Sequence, residues 1–109
     1  MENITIVELL SAYLPYGVNV LTPNGIGLLE RVKLSHSYVG YKLILKDINT
    51  ISSTEIRECG FFTKTEFKQS LLEGELNYSS IRYLLRKKYD IFNAINTGMA
   101  VDLNSILVR

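Results

Sequence analysis

Two groups of basic residues are the part of this chain best equipped for chemistry. Arg31, Lys33, Lys42 and Lys46 follow one another with no acid between the first and the last. Arg82, Arg86, Lys87 and Lys88 form a second cluster, with Tyr78, Tyr83 and Tyr89 interleaved. Cations neutralise phosphates, and aromatic rings stack on bases or carry cations on their faces. The candidate binding residues are therefore Arg31, Lys33, Lys42 and Lys46 on one element and Arg82, Tyr83, Arg86 and Lys87 on another. Solvated strand and helix faces have the same composition, and that plainer reading competes throughout. The partner these residues suit is a protein or ribonucleoprotein, with RNA as a further contact.

Catalytic and metal-binding arrangements are harder to assemble. His36 is the one histidine and lies between Ser35 and Ser37, but adjacency in sequence does not make a triad. One cysteine and one histidine cannot build a structural zinc site. Asp90 and Asp102 are conceivable as paired carboxylates, yet a helix cap and an exposed strand position account for them more simply. Gly25-Ile26-Gly27 lacks the third glycine and the following helix of a phosphate loop. Cys59, between Ile56 and Phe61, reads as a small core residue rather than a reactive thiol. The chain is thus read as a non-enzyme without metal or cofactor.

The elements that must position these residues follow from periodicity. Ile6, Leu9, Leu10, Tyr13 and Leu14 make an apolar helical stripe, and Thr5 and Glu8 have the spacing of a capping box. Pro15 stops that helix and Gly17 turns the chain. Residues 18–22 read as a strand, Pro23-Asn24-Gly25 as a tight turn, and 26–34 and 41–48 as two further strands of an antiparallel meander. Leu28, Val32 and Leu34 share one face, and Tyr41, Leu43 and Leu45 another, so pairing the two sets would build a core and put the first basic group outside. Glu30 falls on the apolar parity and marks the weak point of that register.

Residues 49–56 read as a loop or irregular edge and 56–62 as a short strand. Thr63 and Glu66 repeat the capping-box spacing before Phe67, Leu71 and Leu72, and Gly74 is placed to end that helix. Asn77 or Ser79 caps the next one, whose apolar stripe is Ile81, Leu84 and Leu85. Asp90 reads as the cap of a short helix over 91–96 that buries Phe92 and Ile95 and ends at Gly98. Met99, Ala100, Val101 and Leu103 then form an extended segment suited to adding to a sheet edge. The predicted fold class is α+β: an N-terminal helix, a three-stranded antiparallel meander, two to three C-terminal helices and a short extended end, in a single domain over residues 1–109.

The bulk numbers agree with such a domain. A chain of 109 residues, 47% hydrophobic and 21% charged, can bury roughly two thirds of its unfolded surface and has no need of disulfide staples. A net charge of +1 supplies no global pull towards nucleic acid or membrane, so attraction must be local. The lone cysteine, the absence of a basic and apolar leader after Met1, and the short apolar runs point to a cytoplasmic protein without a membrane partner. Seven tyrosines suit an interface.

Two segments resemble a known group. "YLPYGVNVLTPNG" (13–25) and "KKYDIFNAINTGMAVDLNSI" (87–106) are similar to the ends of small uncharacterised proteins of Bacteroidetes phages and prophages. Tyr89, Asp90, Ile91, Phe92, Ile95, Gly98, Ala100, Val101 and Asp102 carry the second match. Asn93-Ala94 stands where that group has Gly-Leu, and its tryptophan is missing. The resemblance implies a phage setting in a bacterial host and no catalytic residues. Inhibitors of host defence, anti-CRISPR proteins among them, are a leading class of such proteins, with a Cas effector or its guide RNA as target. A nucleic-acid-binding accessory protein of phage replication or transcription is the alternative.

Overall fold

The computed structural model describes residues 4–33 and 37–107; the readings of Met1, Leu34, Ser35 and His36 lie outside the described residues. Helix α1 (Ile6–Tyr13) begins as its sequence requires. The Thr5 hydroxyl accepts from the Glu8 backbone N–H, and the Glu8 carboxylate accepts from the Thr5 N–H, closing the capping box. A single 3-10 turn (Leu14–Tyr16) carries Pro15, and the chain then enters the sheet.

The sheet has four strands: β1 (Asn19–Thr22), β2 (Gly25–Leu28), β3 (Lys42–Leu45) and β4 (Ala100–Asp102), in the order β2-β1-β3-β4. β1 pairs antiparallel with both β2 and β3, and β4 pairs parallel with β3. The α+β class holds, but the three-stranded meander does not. β3 lies against β1 rather than β2, and the C-terminal extended segment becomes a fourth strand.

The cause lies in the parity of β2. Register places Gly27, Val20, Leu43 and Ala100 in one row across the sheet. Val20, Leu43 and Ala100 are buried, so this row faces the core. Ile26 and Leu28 then point outward and are more than half exposed, while Leu29 turns into the core and donates its N–H to the Val18 carbonyl at 2.9 Å. Two glycines on the inner face and apolar residues on both parities make the alternation ambiguous, and burial of Leu29 decides it. Leu43 and Leu45 are buried, while Tyr41 is half-buried.

A 3-10 turn (Ile48–Thr50) and helix α2 (Ser53–Glu58) replace the expected loop and the strand over 56–62. Ser52 and Glu55 form a second complete capping box, and a helix this short depends on it. Helix α3 (Lys64–Glu73) starts at Thr63 and ends at Gly74 in the left-handed region. Helix α4 (Tyr78–Arg86) is capped by Asn77, whose side chain accepts from the Ser80 N–H. Leu9, Leu10 and Tyr13 of α1, Phe67 of α3, Leu84 and Leu85 of α4 and the inner face of the sheet form one buried cluster, with Cys59 in it. The Ser80 hydroxyl donates to the Cys59 carbonyl at 2.9 Å and ties α4 to the end of α2.

The helix expected over 91–96 is absent: this segment is a run of turns. Asn93 adopts φ +57°, which interrupts any helical ladder. Asp90 is buried, and its two carboxylate oxygens accept from the Ala94 N–H (2.7 Å) and the Ile95 N–H (2.9 Å). The Ala94 carbonyl in turn accepts from the N–H groups of Met99 and Ala100. Asp90 and Ala94 thus cinch a loop that delivers the chain to β4. The buried side chains here are Ile91 and Ala94; Phe92 and Ile95 are half-buried, because the turn geometry presents different positions inward than a helix would. Gly98 has the expected left-handed φ of +82°, but it closes this loop rather than a helix. Helix α5 (Leu103–Leu107) follows, its Asn104 N–H donating to the Asp102 carboxylate at 3.0 Å. Among the described residues no helix is long and apolar enough to cross a membrane.

Candidate functional site

The outward side of α4 carries alternating rings and cations. Tyr78 is 72% exposed, and the Arg82 guanidinium lies 5.5 Å from its ring centroid. Arg86 and Lys87 sit 5.7 and 5.8 Å from the ring of Tyr83. Spacing explains all three pairs: residues three and four apart on a helix share a face. Among the described residues, Arg82, Arg86 and Lys87 make no ion pair with a carboxylate.

The structure extends this face with a residue from the other sequence cluster. The chain leaves α4 through Lys88 at φ +65°, and Tyr89 forms a parallel bridge with Lys46 just beyond β3. The Lys46 N–H donates to the Lys88 carbonyl at 2.8 Å, and the Asp90 N–H donates to the Lys46 carbonyl at 2.9 Å. The Lys46 ammonium lies over the Tyr89 ring, 4.7 Å from its centroid. Burial, with Lys46 and Lys87 nearby, holds the Lys88 ammonium below its ordinary range. The Lys88 ammonium donates to the Arg86 carbonyl at 2.6 Å, which also serves the C-terminal end of α4.

Among the described residues two carboxylates border the face: after burial, Glu55 and Glu58 both push the Tyr83 hydroxyl up. The Tyr89 hydroxyl donates to Glu55 at 2.6 Å. Burial pushes the Glu55 carboxyl up, but the hydrogen bonds from Tyr89 and Ser52 outweigh it and leave the group below its ordinary range. Burial first, then Glu55, pushes the Tyr89 hydroxyl up. Burial, with Glu55 and Glu58, likewise pushes the Cys59 thiol up and away from the reactive thiolate. Behind the face, the Tyr13 hydroxyl donates to the Tyr89 carbonyl and anchors the bridge to α1.

Of the sequence candidates, the structure gathers Arg82, Tyr83, Arg86 and Lys87, and adds Lys46 to them. Arg31 and Lys33 lie exposed in the segment after β2, and Lys42 is half-buried on the outer face of β3 beside Leu21. They are not carried on paired strands, because β1 separates β2 from β3. Sequence reasoning missed Tyr89 as the hub of the face. Its position directly after Lys87-Lys88 was the available signal, but the bridge to Lys46 is a tertiary contact. Asp90 and Asp102 serve as acceptors for backbone N–H groups. Among the described residues no three Cys, His, Asp or Glu side chains are grouped as a metal site would need.

Comparison with protein-family models, curated proteins and solved structures gives no match.

Proposed function

We propose that the protein is a non-enzymatic binding protein that docks the α4 face onto a phosphate-bearing host complex. The observation that supports this is the continuity of cations and rings from Arg82 through Arg86 and Lys87 to Lys46, with three tyrosines beneath them. Such a surface neutralises backbone phosphates and offers rings to bases or to a partner's cations. The resemblance to phage and prophage proteins supplies the setting: a bacterial cytoplasm, and a host-defence complex as target. A CRISPR effector or its guide RNA is the favoured partner, which makes the protein an inhibitor of the anti-CRISPR type.

The test is co-purification of the tagged protein from a Bacteroidetes lysate, with the bound proteins and RNA identified, together with plasmid interference in a CRISPR-active host. Recovery of a Cas effector and loss of interference are the expected results. Undiminished interference across the host's CRISPR types overturns the defence-inhibitor reading. Salt-sensitive binding to bare RNA or DNA without any effector would instead favour the accessory nucleic-acid-binding role.

A further inference from the structure

The three rings of the α4 face are not equivalent. Tyr89 is 3% exposed, and its ring lies beneath the Lys46 ammonium. Tyr83 is half-buried, and both Arg86 and Lys87 lie against its ring. These two rings position cations and have little surface left for another partner. Tyr78 is 72% exposed, and among the described residues one cation, Arg82, lies over it. A ring this open keeps a face free for stacking.

The charges are also unevenly placed. Glu55 and Glu58 act on Tyr83, on the side of α2. The Arg82 guanidinium is held above its ordinary range by the Tyr16 hydroxyl first and then by Tyr78, so the end of the face that carries the open ring is set by tyrosines. Arg82, Arg86 and Lys87 are exposed. Four residues of helix rise about 6 Å, so Arg82 and Arg86 are spaced on the order of one phosphate step in an extended nucleotide strand. With Lys46 they outnumber the two carboxylates, and the face selects an anion. A polyanion that also offers a bare π-face is a nucleic acid with unstacked bases. A duplex keeps its bases stacked, yet its denser charge would make it the better ligand if charge alone decided binding.

Resting on the reading of this face as the phosphate-docking surface, we infer that it takes a single strand of nucleic acid, free or carried on a complex, with one base stacked on Tyr78 and the adjoining phosphates on Arg82, Arg86 and Lys87. Short labelled RNA and DNA strands, the duplexes they form with their complements, and abasic strands of the same length are titrated with the full chain by fluorescence anisotropy at several salt concentrations. The expected result is binding of single strands about tenfold tighter than of duplexes or abasic strands, a difference of ~1.4 kcal/mol. The RNA and DNA arms are compared separately, and the tighter of the two names the sugar. Tyr78→Ala should abolish the preference for single strands and Tyr78→Phe should keep it; the side chain is exposed, so the fold is retained. Arg82→Ala with Arg86→Ala should weaken single strand and duplex alike and flatten the salt dependence. Duplex or abasic strand bound as tightly as the single strand, or an undiminished preference in Tyr78→Ala, would overturn the inference and leave phosphate docking in place. No binding to any of these probes at low salt would overturn both.

Discussion

Lys46 lies over the ring of Tyr89, its ammonium 4.7 Å from the ring centroid. The same ring's hydroxyl donates to Glu55 at 2.6 Å. One tyrosine thus joins β3, the end of α4 and α2, and it determines which basic residues share a surface. Lys46 and Tyr89 are far apart in sequence, and the backbone bridge between them makes them neighbours.

This arrangement predicts a pH dependence. Glu55 is held below the ordinary carboxyl value of 4.5, so it binds protons more weakly in the folded chain than in the unfolded one. Its contribution to stability is complete above that value and is lost as pH falls through the folded value. Thermal melts of wild type and Glu55→Gln between pH 7 and pH 3 should show a smaller acid-induced drop in Tm for the variant. Tyr89→Phe should remove part of the same drop while keeping the ring under Lys46.

Asp90 should matter for stability rather than for chemistry. Asp90→Ala leaves the Ala94 and Ile95 N–H groups without their acceptor, and each unsatisfied buried donor costs about 1–3 kcal/mol. A loss of roughly 2–4 kcal/mol in chemical denaturation is expected, with faster amide exchange over residues 94–100. Asp90→Asn keeps one acceptor and should cost less.

Gly98 should resist substitution for backbone reasons alone. At φ +82° an L-residue is strained, while a Cβ built there meets nothing within 4 Å. Gly98→Ala should therefore destabilise by about 1–2 kcal/mol, and Gly98→Val by more, since a branched side chain fits this region worst. Equilibrium denaturation of the two variants checks the order.

The basic face should separate binding from folding. Arg82→Ala with Arg86→Ala changes exposed side chains and should alter stability by under ~0.5 kcal/mol per site. Binding to a phosphate-bearing partner should fall about tenfold or more, with a shallower salt dependence. Lys46→Ala should add to that loss, and Arg31→Ala with Lys33→Ala should not. Equal binding by all these variants in a salt-titrated assay would move the contact surface away from α4.

Local signals were legible in the sequence because they act over a few residues. The capping box of Thr5 and Glu8, the caps Thr63 and Asn77, and the stop at Gly74 all appear where their chemistry puts them, whereas Gly98 has the expected positive φ but closes a loop and not a helix. The α+β class and the basic, tyrosine-bearing face of α4 follow from the same short-range patterns. The box of Ser52 and Glu55 was equally local, but the polar run around it reads as loop, and α2 went unrecognised.

Tertiary structure alone decided the rest. Apolar residues on both parities of the 26–29 stretch left two faces open, and only burying Leu29 under the sheet selected one and placed β3 beside β1. Spacing suggested a helix after Asp90, but its carboxylate takes the Ala94 and Ile95 N–H groups and Asn93 turns left-handed, so a loop forms and releases the chain into β4. Those choices also brought Lys46 to Tyr89. A side chain's neighbours across the fold depend on which long-range pairing buries the most apolar surface with its polar groups satisfied, and no window of sequence contains that comparison.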